Sequence, residues 1–202
     1  MKIICIGRNY ADHAKEMNSA LPKEPIFFFK PDTALTREKT FYLPKFTSDL
    51  HFECEIVIKI DKAGKNIPSE FAHKYFSQYT LGIDFTARDL QQECKEKGLP
   101  WEKAKAFDNS APLSDIWINK NELSLENLSF QFFQNDELKQ DGNTKDMIFS
   151  IETLISYVSQ FVTLKTGDLI FTGTPAGVGA VSIGDELTGF INGKKVIQLR
   201  IA

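Results

Sequence analysis

Glu53-Cys54-Glu55 sets two carboxylates at i and i+2 in a segment whose apolar residues alternate like a strand. In a strand, such residues point to one side with Cα atoms about 6.5–7 Å apart. Two acids held that way repel each other unless a cation sits between them, and hard oxygen ligands suit Mg2+, Mn2+ or Ca2+. A solvated strand face carries the same pair, so the spacing alone leaves both readings open. Cys54, pointing the other way, reads as core. A third carboxylate sharpens the metal reading: Asp84 stands where apolar Leu81-Gly82-Ile83 ends and polar residues begin. An acid there can face a cleft, although an Asp at a helix entry would look the same. Arg88 and Gln91 follow at i, i+3 and share a helix face near Asp84. Two or three protein carboxylates on Mg2+ leave coordination positions for water or a chelating substrate.

A second constellation lies near the N-terminus. His13 and Glu16 are i, i+3 on a short helical segment, where a carboxylate can orient an imidazole and make it a general base. The same spacing also makes an ordinary surface contact. His51 and His73 have no comparable partner and read as structural or surface residues. Gly173-Thr-Pro-Ala-Gly-Val-Gly179 lacks the Gly-Lys-Ser/Thr ending of a phosphate loop, and its glycines do not fit the dinucleotide fingerprint. It reads instead as a loop that exposes backbone to a small anionic ligand.

The elements that must position these groups are mostly strands. Residues 2–6 form a first strand ending at Gly7-Arg8, and Ala11 to Met17 a short helix. Asn18 to Glu24 is a polar stretch punctuated by Pro22 that reads as a mobile loop. Pro25-Ile-Phe-Phe-Phe-Lys30-Pro31 reads as a buried strand stopped by proline. His51 to Ile60 alternates, with Phe52, Cys54, Ile56, Ile58 and Ile60 on one face and Glu53, Glu55, Val57 and Lys59 on the other. A strand over 80–83 runs into Asp84; Thr86-x-x-Asp89 resembles a capping box, and Gly98 with Pro100 ends the helix. Leu128-Phe130-Phe132 alternates toward a turn at Asn135-Asp136. Ser150 caps a helix with the stripe Ile151, Leu154, Ile155, Val158. Residues 169–172 form a short strand before the glycine loop, and Asn192-Gly193 joins two strands in the strongest hairpin signal of the chain. Strands outnumber helices without alternating regularly with them, which predicts a β-rich α+β roll or sandwich.

The 202 residues fit one domain, 42% hydrophobic and 25% charged, enough for a core without disulfides. A net charge of −3 and a pI near 5.7 argue against a nucleic-acid partner. Cys5, Cys54 and Cys94 make no CxxC pair, so neither a disulfide framework nor a zinc ribbon is expected; free thiols fit a reducing compartment. No run approaches the ~18 apolar residues of a membrane span, and residues 1–6 are too short for a signal-peptide core. A cytoplasmic location is expected. Seventeen Phe against five Tyr and two Trp suggest a core, and an interface, built on phenyl rings.

Several segments together resemble the fumarylacetoacetate hydrolase superfamily, in particular its compact acylpyruvase-like members. They are Gly7-Arg-Asn-Tyr-Ala-Asp-His-Ala-Lys-Glu-Met17, Phe29-Lys30-Pro31, His51-Phe-Glu-Cys-Glu55, Gly82-Ile-Asp-Phe-Thr-Ala-Arg-Asp-Leu-Gln91, Lys97-Gly-Leu-Pro-Trp-Glu-Lys-Ala-Lys105, Gln140-Asp-Gly-Asn-Thr144 and Thr166 to Gly179. The resemblance spans nearly the whole chain. It implies a mixed β-roll or sandwich with short peripheral helices, and one catalytic domain over 1–202 without the extra N-terminal domain of larger members. It implies Glu53, Glu55 and Asp84 as Mg2+ or Mn2+ ligands and Lys105 as the catalytic lysine. Arg8, Arg88 and Gln91 are implied in the substrate site, and Thr174 as a contact to the substrate carboxylate. His13 and Glu16 match a lid dyad that activates water, and a homodimer is implied. Asp32 departs from the family pattern, and its charge is expected to weaken binding of a dianionic substrate.

The activity expected on this basis is Mg2+-dependent cleavage of the C–C bond of acylpyruvates such as fumarylpyruvate or acetylpyruvate. The enolate formed would be stabilised by the metal and Lys105. The runner-up readings are oxaloacetate decarboxylation or tautomerisation, or isomerisation of an unsaturated 2-oxo dioate. A non-catalytic metal-stabilised binding module is the rival of a different class.

Overall fold

Two sheets share one apolar core, and the acidic residues lie on the larger sheet, on the side away from that core. The computed structural model describes residues 1–202. The larger sheet has six strands in the order Ile118–Asn119, Phe76–Ile83, Cys54–Ile60, Leu169–Phe171, Ile3–Gly7 and Ile26–Lys30. Its pairs are antiparallel except Ile3–Gly7 with Leu169–Phe171, which run parallel. The second sheet has five strands in the order Glu137–Asn143, Ser129–Gln134, Glu186–Ile191, Lys194–Ile201 and Thr40–Phe41. Three short strands, Gly179–Ala180, Leu50–Phe52 and Thr86–Ala87, form a separate ribbon beside them. The expected β-rich α+β architecture is what the chain adopts. No helix is long and apolar enough to cross a membrane.

The alternation over 52–60 has a direct outcome. Phe52, Cys54, Ile56, Ile58 and Ile60 enter the larger core, together with Phe130, Phe132, Leu187 and Leu199 of the five-stranded sheet. Val57 enters a smaller cluster on the opposite face with Ile3, Cys5, Leu169 and Phe171. A strand flanked by apolar layers on both sides leaves no solvated face, so Glu53 and Glu55 are buried. The single expected strand over 51–60 is broken, however. Leu50–Phe52 pairs with the ribbon, whereas Cys54–Ile60 pairs with Phe76–Ile83 and Leu169–Phe171. Glu53 sits at the switch between these partners, and its side chain lines the cleft that also holds Glu55 and Asp84.

Local signals that need no distant partner are realised. Asn135 and Asp136 take φ 52° and 64°, the left-handed pair that a tight hairpin requires. Asn192 and Gly193 do the same at φ 45° and 76°. The Ser150 hydroxyl accepts the Thr153 N–H at 3.3 Å and opens the helix Ile151–Phe161. That helix buries Ile151, Leu154, Ile155 and Val158, each contributing about 1.5–3 kcal/mol relative to exposure. The capping box at Thr86 does not form. Thr86–Ala87 is a strand, the helix Arg88–Lys97 starts without a side-chain cap, and Asp89 instead accepts from the Thr47 hydroxyl at 2.6 Å and the Ser48 N–H at 3.1 Å. Tertiary partners outcompeted the local cap. Gly98 ends that helix at φ 63°, as expected.

Candidate active site

Strand register assembles the acids. Cys54 pairs with Ile83 and Glu55 with Gly82, and the Asp84 N–H donates to the Glu53 carbonyl at 2.8 Å. Glu53, Glu55 and Asp84 therefore converge, with carboxylate oxygens within 4.8 Å of one another. All three are buried. Lys105, from the short helix Glu102–Lys105, reaches between two of them. Its Nζ donates to Glu53 Oε2 at 2.7 Å and to Asp84 Oδ2 at 2.9 Å. Arg88 Nη2 donates to Glu53 Oε1 at 2.7 Å, and its Nη1 to Gln91 Oε1 at 2.8 Å. The helical pairing of Arg88 and Gln91 is thus formed.

These contacts divide the carboxylates electrostatically. Burial alone would push the Glu53 carboxyl up, but Lys105 and Arg88 hold it well below the ordinary range. Lys105 shows the reciprocal effect: burial would lower it, and Asp84 and Glu53 outweigh that and raise it above the usual lysine range. It is a fixed ammonium and not a base. Glu55 has no cationic partner, and its one strong donor is the Gly173 N–H at 2.7 Å. Burial, then Asp84, then Glu53 push its carboxyl well above the ordinary range. Asp84 Oδ1 lies 2.8 Å from Lys30 Nζ but off the line a hydrogen bond needs, and it accepts from no donor. An unfilled buried oxygen beside an uncompensated carboxylate, in an all-oxygen donor set, fits a hard divalent cation.

The walls come from four distant segments. Arg8, His13, Arg88, Gln91, Lys105 and Thr174 line the same cleft as the three carboxylates. Glu16 stands behind His13: its Oε2 is 3.0 Å from His13 Nδ1, and its Oε1 accepts the Gly177 N–H at 3.0 Å. The first helix, Ala11–Glu16, is thereby tied to the glycine loop and presents His13 to the cleft. Asn9 anchors its approach, donating to the Thr172 and Phe149 carbonyls and accepting the Phe149 N–H. Gly173 adopts φ 101°, and a Cβ there would stand 2.6 Å from Asn9 Cβ, so only glycine presents this N–H to Glu55. Thr174 differs from its expected role in one respect: its hydroxyl proton is already given to the Cys54 carbonyl at 2.8 Å. Asp32 is exposed and does not line the cleft, so its charge stays in solvent. His51 pairs with Asp49 at 2.8 Å and His73 lies elsewhere.

Two residues that support the site had no assignment in sequence. Lys30, fully buried at the end of the strand Ile26–Lys30, has its three ammonium protons shared among the Phe85, Lys105 and Ser110 carbonyls and Ser110 Oγ, while its charge faces Asp84. Its signals were a lysine closing an apolar run and its place in the segment Phe29-Lys30-Pro31 of the family resemblance, neither of which assigned it a role. Gln140 accepts the Cys54 N–H at 2.9 Å and donates to Thr174 Oγ1 at 2.7 Å and the Pro175 carbonyl at 2.8 Å. It joins the acidic strand to the glycine loop from the other sheet, a contact no local pattern encodes.

Comparison with known proteins gives a consistent result. The family model described as fumarylacetoacetate (FAA) hydrolase C-terminal matches residues 2–202. The chain is 44% identical over 200 residues to the protein named oxaloacetate tautomerase FAHD1, mitochondrial, of Bos taurus, covering 98% of this chain and 90% of that protein. It is 44% identical over 195 residues to oxaloacetate tautomerase YcgM of Escherichia coli K12, covering 95% and 89%. Among solved structures, fumarylpyruvate hydrolase from Pseudomonas aeruginosa, in complex with Mn2+ and pyruvate, superposes with a TM-score of 0.94 at 37% identity, covering 100% of this chain and 89% of that one.

Proposed function

The chain belongs to the fumarylacetoacetate hydrolase family, and from that premise and the cleft we propose a metal-dependent enolising enzyme acting on 2-oxo acids, first of all an oxaloacetate keto–enol tautomerase. The observation that carries this reading is the pairing of a buried triacid floor with a lysine fixed between two of its members and a histidine above it. The relatives named oxaloacetate tautomerase favour this reading over the acylpyruvate cleavage expected from sequence.

Glu53, Glu55 and Asp84 would hold the divalent cation, Mg2+ or Mn2+, which when bound supplies Lewis-acid polarisation of the 2-oxo group. The protein's own groups do the rest. Lys105 presents a permanent positive charge where negative charge grows on the enolate oxygen. Arg88, locked by Glu53 and Gln91, orients the carboxylate end of the substrate. His13, buried and steered through Nδ1 by Glu16, uses its other ring nitrogen to take the proton from C3 of the keto form. The C3–H electrons form the C2–C3 double bond, and the proton is delivered to the C2 oxygen, so no water is consumed. Closure of the first helix excludes solvent from this transfer.

The test is decay of the oxaloacetate enol absorbance with and without Mn2+, in native protein and in His13→Ala. Loss of metal should abolish catalysis, and His13→Ala should lower the rate by about 10²–10⁴, the range of a general acid–base group. Acylpyruvate hydrolysis is the second reading, favoured by the His13–Glu16 dyad, which suits water activation. Assaying acetylpyruvate on the same preparations separates the two. Equal loss of both activities in His13→Ala makes the dyad the enolisation base. Selective loss of cleavage with tautomerisation intact returns it to water, and absence of any turnover refutes the enolising assignment.

A further inference from the structure

The cations around the cleft fall into two sets. Lys105, Arg88 and Lys30 each stand within 2.9 Å of Glu53 or Asp84, so these three cations are committed to two floor carboxylates, and none of them pairs with Glu55. Arg8 and Lys95 also line the cleft, and neither pairs with a carboxylate. Lys95 lies seven residues after Arg88 on the helix Arg88–Lys97, and four after Gln91, so all three share one face. Seven residues are about 10 Å along a helix axis, and side chains tilt toward the helix N-terminus. Lys95 therefore overhangs the cleft from its outer end. Lys95 is exposed at the rim, and its surroundings are mainly cationic: partial desolvation, then Arg88 and Arg8, depress its affinity for a proton against an opposing pull from Glu53. Arg8 is held at φ 59°, a left-handed conformation that residues with a Cβ seldom adopt, immediately before the stapled Asn9.

Two cations on one cleft, neither with a carboxylate partner, repel unless an anion joins them, and Glu55, the one floor acid without a cation, is buried and held on the Gly173 N–H instead of reaching them. A divalent cation on the floor would add further positive charge. We propose that Lys95 and Arg8 form a second anion subsite at the mouth of the cleft, which selects 2-oxo acids carrying a distal carboxylate over monocarboxylates. The inference deepens the 2-oxo acid reading and rests on it for the group at the floor. The occupant is a short dicarboxylate whose first carboxylate and 2-oxygen reach the acidic floor while its second lies against Lys95 and Arg8.

The matched pair malate and lactate isolates the distal carboxylate, because both carry a C1 carboxylate and a C2 oxygen. Calorimetric titration of the Mn2+-loaded full chain should show malate binding more tightly than lactate. Lys95→Gln should cut that preference by about tenfold, the lower end of what a charged hydrogen bond contributes, and should raise the KM for oxaloacetate by a similar factor. Lys97→Gln is the control, since Lys97 pairs with Glu93 and does not line the cleft. It should retain the preference. No preference in native protein, an unchanged preference in Lys95→Gln, or equal loss in Lys97→Gln overturns the subsite. If the preference behaves as expected but native protein does not turn over oxaloacetate, the subsite stands and the tautomerase assignment falls. Turnover with a Lys95-independent preference removes the subsite and leaves the tautomerase assignment standing.

Discussion

Glu55 and Asp168 are both carboxylates only 1% exposed, at opposite ends of the same six-stranded sheet. Their surroundings could hardly differ more. Asp168 accepts the Lys2 N–H on one oxygen and the Lys165 N–H on the other, each at 2.8 Å, with the Lys2 ammonium beside them. Every demand of its charge is met from within the chain, and it clamps the N-terminus to the start of the strand Leu169–Phe171. Glu55 has one backbone donor and two carboxylates for neighbours. Burying a charge is tolerated only with compensation. Asp168 carries that compensation itself, whereas Glu55 lacks it. The first is a carboxylate that holds the fold, and the second is one that the fold holds ready for a ligand.

The largest expected effect tests whether Lys105, which neutralises two of the acids, serves the reaction or only the fold. Lys105→Ala should lower kcat by about 10²–10³, the usual result of deleting a preorganised charge that stabilises the transition state. Circular dichroism of the Mn2+-loaded variant keeps a folding failure apart from a chemical one. A folded variant within about threefold of native kcat would place Lys105 in the class of Asp168, as a structural charge.

A smaller effect distinguishes the two acids directly. Divalent cation at about 100 times its dissociation constant should stabilise native protein by about 2.7 kcal/mol. Glu55→Gln should lose most of that increment, yet without metal it should be no less stable than native, because an uncompensated charge becomes an amide that still accepts from Gly173. Asp168→Asn should cost about 1–3 kcal/mol with or without metal. Urea unfolding of both variants, each with Mn2+ and with chelator, gives the four numbers. A metal-free Glu55→Gln as damaged as Asp168→Asn would erase the distinction.

The same contrast explains what could be read from the chain. The hairpin at Asn192-Gly193, the turn at Asn135-Asp136 and the Ser150 cap each depend on residues within a few positions, so local chemistry announces them. The acids of 53–55 and 84 were legible because a strand period and a strand end fix where they point. The break at Glu53 was not, since it depends on partners near residues 83, 171 and 179. Lys30 meets its acceptors 55–80 residues away, and Gln140 bridges spans of 34 and 86. Their segments carry the family resemblance, but nothing local shows which distant acceptors or donors such a lysine or glutamine will meet. Thr86 and Asp89 failed the other way: a familiar spacing was overridden by the ribbon strand and by Thr47.

The smallest effect concerns a third carboxylate, on the five-stranded side, which carries Asp168's kind of compensation nearer to solvent. Burial pushes the Asp185 carboxyl up, but the Asn135 amide, the Ser182 N–H and the Gln134 amide outweigh that and hold it below the ordinary range. A depressed acid favours the folded state above the unfolded pKa, about 3.9 for aspartate, and that contribution disappears as pH falls through the folded value. Asp185→Asn should therefore cost about 1 kcal/mol at neutral pH. The difference from native should begin to shrink below about pH 4, where the unfolded carboxyl takes up its proton, and should vanish only once pH falls through the lower folded value. Urea midpoints across this range check the sign: a gap that widens on acidification would mean that Asp185 is held by something other than its charge. Because Asp185 lies away from the cleft, the same variant should keep native Mn2+ affinity, which makes it the reference against which the Glu55 loss is measured.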